Sequence, residues 1–171
     1  INTATSPANI KAQEIEKSMA GTNPASEKIN FTIKANQLGQ TLPTVEGTTL
    51  KLIDKMSSTL ILDTTTIKVV NSNNGANVDF TASLGEGNTL TIAIPCDVPV
   101  TITYTASVNA PPGQSVSFSN EAYWETYTPS SGTSVKQDNY SYNAGGTVGS
   151  GNNITLKIIK KDQYNLSHGL E

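Results

Sequence analysis

The sequence predicts an all-β protein, a sandwich of about ten short strands in a single domain, and three observations lead there. Of 171 residues, 57 are Thr, Ser or Asn, alongside 13 Gly and 8 Pro, while only 15% are charged. Thr suits a pleated surface half in water, and Asn, Ser, Gly and Pro build the turns between strands. Short β-rich or alternating runs follow one another along the chain with turn residues between them, which is the pattern of a sandwich rather than of helices. A mass of 18.0 kDa suits one sizeable core better than two very small ones.

Taken in order, residues 1–13 carry little periodicity and read as a lead-in or linker. Strands are expected at 14–20, 28–36, 48–56, 59–62, 66–70, 77–83, 88–94, 98–108, 115–128, 133–143 and 153–161. Asn74-Gly75 and Gly85-Glu86-Gly87-Asn88 read as hairpin turns. Pro111-Pro112-Gly113 and Pro129-Ser130-Ser131-Gly132 close longer loops. The glycine-rich stretch 145–151 is expected to be flexible and to lead into a final strand rather than a second domain. The sandwich therefore spans 14–162, and 163–171 reads as the start of a next module or an appended tail. The chain opens at Ile1 with no leader-like segment, so it is expected to be an excised piece of a longer protein.

Charge and rare residues narrow the function. All 11 basic residues are Lys, set against 14 acidic ones, for a net charge of -3. Nucleic acid is a poor partner for such a chain, because neutralising its backbone takes clustered positive charge. One His and one Cys exclude a multi-His or multi-Cys metal centre and an intrachain disulfide. His168 lies too near the C-terminus to serve a Ser-His-Asp site. With no paired catalytic carboxylates and no phosphate-cradling Gly motif, an enzyme is not expected, nor is a cofactor or metal. No run approaches the roughly 18 apolar residues of a spanning helix, so this piece is not expected to insert in a membrane.

Strand periodicity then isolates three polar residues. Side chains alternate between faces, so a residue flanked at i-2 and i+2 by apolar groups points where they point. Lys17 shares a face with Ile15 and Met19. Asp54 lines up with Leu50, Leu52 and Met56, opposite Lys51 and Lys55. Asn120 falls among Val116, Phe118, Ala122 and Trp124. Lys28 and Lys34, by contrast, alternate against Ile29, Phe31, Ile33 and Ala35 and belong to the wet face.

Buried charge without a partner costs several kcal/mol, so three such residues in one core are expected to meet. They can be read as a Lys17–Asp54 ion pair with Asn120 as a hydrogen-bonding filler. They can equally be read as chemistry: a desolvated Lys17 amine attacks the Asn120 carboxamide carbon and expels ammonia, while Asp54 polarises the amide oxygen and shuttles protons.

These residues carry a resemblance. Lys17 in an early strand, Asp54 in Leu50-Lys51-Leu52-Ile53-Asp54-Lys55-Met56, the run Leu60-Ile61-Leu62-Asp63, Tyr104-Thr105-Ala106, and Ser119-Asn120-Glu121-Ala122-Tyr123-Trp124 resemble the isopeptide-forming domains of Gram-positive pilins and collagen-adhesin-like surface proteins. The match runs over roughly 14–160. It implies an immunoglobulin-like sandwich and a spontaneous Lys–Asn cross-link between Lys17 and Asn120, with Asp54 as the catalytic proton shuttle. Ile158-Ile159-Lys160-Lys161-Asp162 resembles the opening strand of a following module, which makes Lys160 a rival nucleophile whose partner would lie outside this chain.

The resemblance further implies an extracellular, cell-wall-anchored stalk or backbone module. Its partners would be neighbouring modules or pilin subunits. The alternative it leaves open is a ligand-binding adhesin domain that contacts host matrix protein or glycan.

Other features read more simply. Leu42-Pro43-Thr44-Val45-Glu46-Gly47 lacks the Thr-Gly of a sortase signal. Cys96 reads as a small core or loop thiol rather than half of a thioester, and Asn71-Ser72-Asn73-Asn74-Gly75 as a turn without the carboxylates of a calcium loop. Among Tyr123, Trp124, Tyr127, Tyr140 and Tyr142, a conceivable sugar platform, Trp124 falls on the inner face and reads as a core anchor. The sequons at Asn30, Asn139, Asn153 and Asn165 are expected by chance in a chain this rich in Asn, Ser and Thr.

Overall fold

The computed structural model describes residues 14–23, 28–109, 111, 115–126, 136–143, 156–162 and 169–170. Eight strands with described side chains form the body: β1 (Ile15–Asn23), β2 (Lys28–Ala35), β3 (Thr49–Met56), β4 (Leu60–Asn71), β5 (Thr81–Gly85), β6 (Thr89–Pro95), β7 (Val100–Val108) and β8 (Ser115–Trp124). The backbone continues through β9 (Lys136–Asn143), β10 (Leu156–Asp162) and the short β11 (Gly169–Leu170), of whose side chains nothing is described. The lead-in 1–13, Tyr127, the 129–132 loop, the 145–151 stretch and the side chains of Val116, Tyr140, Tyr142 and Lys160 lie outside the described residues.

The strands make two antiparallel sheets. One runs β1-β2-β7-β4, the other β11-β10-β9-β8-β3-β6-β5. Strict alternation explains why they face each other. In β2 the buried residues are Ile29, Phe31, Ile33 and Ala35, and in β7 Val100, Ile102, Tyr104, Ala106 and Val108. In the other sheet Leu50, Leu52, Leu90, Ile92, Ile94, Phe118 and Trp124 meet them. Each sheet thus hides one apolar face and wets the other, which is how an antiparallel sandwich gains its stability. Lys28 and Lys34 are exposed, as their alternation requires.

Two expected boundaries differ. The runs at 59–62 and 66–70 are one strand, β4, broken in register between Asp63 and Lys68. There Thr64–Ile67 stand opposite Tyr104 alone, and Thr66 Oγ1 fills the gap by accepting from the Thr105 amide at 2.8 Å and donating to Asp63 O at 2.6 Å. Side-chain bonds of this kind let a bulge absorb extra residues without orphaning backbone groups.

The run at 77–83 is not one strand either. Asn77 bridges back to Val70, and Val78 N donates to Val69 O at 3.0 Å. β5 begins at Thr81 as a fully exposed edge. Asn74-Gly75 consequently turns β4 onto itself, with Gly75 at φ +73 and side-chain acceptors on Asn71 and Asn74 serving the amides of Asn73 and Ala76 at 2.9 Å. Gly85–Asn88 does connect two paired strands, β5 and β6, with Gly87 and Asn88 at positive φ.

Candidate functional site

Lys17, Asp54 and Asn120 are all buried, at 3%, 0% and 0% exposure. Each is placed by its strand. Lys17 lies opposite Ile33 in the β1–β2 ladder, so it shares the inner face of the smaller sheet. In the larger sheet the β3–β8 register sets Asp54 against Ala122 and Met56 against Asn120. Asp54 and Asn120 are therefore diagonal neighbours on one face, within mutual side-chain reach.

β1 and β8 belong to opposite sheets, so a Lys17–Asn120 link would join one sheet to the other. Among the described strands β1 pairs only with β2, so it meets the opposite sheet through its side chains. Facing sheets sit about 10 Å apart, a gap that a long lysine side chain closes together with the side chains facing it.

The contacts are short. Lys17 Nζ donates to Asp54 Oδ2 at 2.6 Å, a fully buried ion pair. It also lies 5.4 Å from the ring centre of Phe31 and 5.6 Å from that of Tyr104, so aromatic faces partly stand in for lost water. Two oxygens remain without a hydrogen-bond partner, Asp54 Oδ1 and Asn120 Oδ1. Unsatisfied buried acceptors cost roughly 1–3 kcal/mol each and call for a physical reason.

A fourth residue joins the three. The Tyr104 hydroxyl donates to Asp54 Oδ2 at 2.5 Å and accepts from Lys17 Nζ at 3.1 Å and from Asn120 Nδ2 at 2.6 Å. Sequence reasoning placed no role on it. The available signal was its position among Val100, Ile102, Ala106 and Val108, since a buried tyrosine hydroxyl needs a polar partner. Asn36 is a second buried polar residue that periodicity passed over. Its Nδ2 donates to Gln40 O and Cys96 O, and its φ of +51 marks a tight turn after β2.

The remaining candidates sit apart from this cluster. Cys96 is a buried free thiol. Trp124 is 1% exposed and packs in the core, which removes it from any sugar-stacking surface. Among the described residues no group of three or more His, Cys, Asp or Glu could hold a metal, and no helix is long and apolar enough to cross a membrane.

No family model matches the chain, and no curated protein does. Among solved structures the chain is similar to the collagen-binding domain of a Staphylococcus aureus adhesin, at 9% identity and TM-score 0.48 over 84% of this chain and 95% of that one. It is also similar to the Corynebacterium diphtheriae major pilin SpaA, at 12% identity and TM-score 0.48, covering 74% of this chain and 38% of that one. A third is the T6 backbone pilin of serotype M6 Streptococcus pyogenes, at 14% identity and TM-score 0.45, over 87% and 35%.

Proposed function

We propose that Lys17 and Asn120 become joined by a spontaneous isopeptide bond, assisted by Asp54, and that the chain is a load-bearing module of a Gram-positive pilus or cell-wall-anchored adhesin. The observation that carries this reading is the buried cluster itself, with an amine, a carboxylate and a carboxamide gathered in one dry site and one oxygen of each acidic and amide group left unpartnered.

The reaction begins when the Lys17 ammonium passes a proton to Asp54, a transfer that removes two charges from a site where charge is costly. The neutral amine attacks Cγ of Asn120. A protonated Asp54 can donate to Asn120 Oδ1, which supplies the missing partner and stabilises the charge developing on that oxygen. Collapse breaks the Cγ–Nδ2 bond and releases ammonia. Ammonium, carboxylate and carboxamide become a secondary amide, ammonia and a carboxylic acid, with every hydrogen accounted for.

The product ties one sheet to the other across the core. Such a bond resists pulling and proteolysis and, unlike a disulfide, is indifferent to reductants, which suits a cell-surface location and a chain with one cysteine. The partners implied are neighbouring modules or pilin subunits of the same surface protein. Intact mass spectrometry tests the reading. The purified chain should weigh one ammonia less than its sequence, and peptide mapping should find residues 17 and 120 in one branched fragment. Full sequence mass would refute it.

A further inference from the structure

We infer that the Tyr104 hydroxyl is a proton relay in this reaction, delivering to Asn120 Nδ2 the hydrogen it needs to leave as ammonia. The inference rests on the cross-linking reading and adds a catalytic residue to it.

Asp54 and Lys17 alone leave one step unserved. Attack by Lys17 Nζ forms the new C–N bond and pushes an electron pair onto Asn120 Oδ1. Breaking the Cγ–Nδ2 bond next requires a proton on Nδ2, because an amide anion is a very poor leaving group. The hydroxyl oxygen of Tyr104 stands 2.6 Å from Nδ2, 3.1 Å from Lys17 Nζ and 2.5 Å from Asp54 Oδ2. It therefore touches the atom that loses a proton, the atom that gains one and the acid between them.

Rotation of its O–H bond from Asp54 toward Nδ2 passes a proton to the departing nitrogen. The phenol regains a hydrogen from the attacking nitrogen or from Asp54, and ends the cycle unchanged. The overall balance stays that of amide formation with release of ammonia.

The ring and the hydroxyl are separable. Tyr104 lies opposite Phe31 in the β2–β7 ladder and stacks on it, with ring centres 5.4 Å apart and an angle of 23°. A phenylalanine at this position can keep the stacking and lose only the relay.

The test follows the full chain from synthesis. Wild type and Tyr104→Phe are made by cell-free translation and sampled over time, with intact mass reporting the fraction that has lost ammonia and peptide mapping locating the link. The Tyr104→Phe chain should cross-link on the order of 100-fold more slowly, the effect of removing one positioned proton donor. Equal rates would overturn the relay and leave the cross-link standing, whereas a wild type that never loses ammonia would overturn the underlying reading. A 3,5-difluorotyrosine at position 104 covers the case in which Tyr104→Phe does not fold. It retains the hydroxyl but makes it more acidic, so the pH profile of cross-linking should move toward acid. A merely structural hydroxyl would leave that profile where it is in the wild type.

Discussion

Asp54 and Asn120 sit one diagonal apart on neighbouring strands, and each keeps an oxygen with no partner. Two acceptors cannot satisfy each other while the carboxyl is ionised, since both lack a hydrogen. Adding one proton to Asp54 turns it into a donor for the amide. Under the proposed cross-linking, the unpartnered oxygens suit a protonated Asp54 that activates the amide.

Lys17→Ala, Asp54→Ala and Asn120→Ala should each restore the full sequence mass, because the nucleophile, the acid and the electrophile are separately necessary. Lys17→Ala and Asp54→Ala should also each be less stable than Asn120→Ala, since each strands one charge of the buried pair in the core at a cost of roughly 3–5 kcal/mol. A mass deficit that survives Lys17→Ala would reassign the nucleophile to another lysine.

The bond should contribute strongly to thermal stability. It closes a loop of roughly 100 residues, and treating it like a disulfide of that span gives about 4–5 kcal/mol from restricting the unfolded chain. The suitable comparison is the double variant Lys17→Met with Asp54→Leu, which removes link and charges together. Calorimetry should show its melting temperature lowered by roughly 10–20 °C for a domain of this size. An unchanged temperature would show that the link is absent or strained.

Force should divide the chain at the clamp. Pulled from its two ends, a cross-linked molecule should transmit tension from Lys17 to Asn120 through the proposed amide, which would keep the strands between them from extending. Extension should be confined to the lead-in and to residues beyond 120. Single-molecule pulling on wild type and Asn120→Ala checks this, and equal contour lengths in the two would place the bond outside the force path.

Asp63 offers a pH signature independent of the cluster. The Thr65 hydroxyl donates to Asp63 Oδ1 at 2.6 Å and the Thr65 amide at 3.0 Å, which holds this exposed carboxyl below its ordinary value of 3.8. A depressed folded value means the stabilisation is present above the unfolded pKa and is lost as pH falls through the folded one. An NMR titration should find the Asp63 midpoint below 3.8. Thr65→Val, which keeps only the amide donor, should raise it.

Much of the site could be read along single strands. The inward direction of Lys17, Asp54 and Asn120, and the outward direction of Lys28 and Lys34, follow from period-two alternation, and the structure places all five accordingly. The same reasoning split β4 in two, because Thr64–Ile67 break the alternation and only their bonds to Thr105 and Asp63 show that the strand runs through. It also began a strand at 77, where Asn77 and Val78 instead fold back on β4.

Alternation fixes which face of its strand each residue of the cluster occupies, since it is a local property of extended backbone. That β1 and β8 belong to opposite sheets, that the lysine reaches its partners across the core, and that the Tyr104 hydroxyl stands among them are relationships between distant strands. Those relationships depend on which distant strands pair and which faces oppose. They are set by burying the apolar faces of both sheets at once, and no stretch of chain taken alone contains that information.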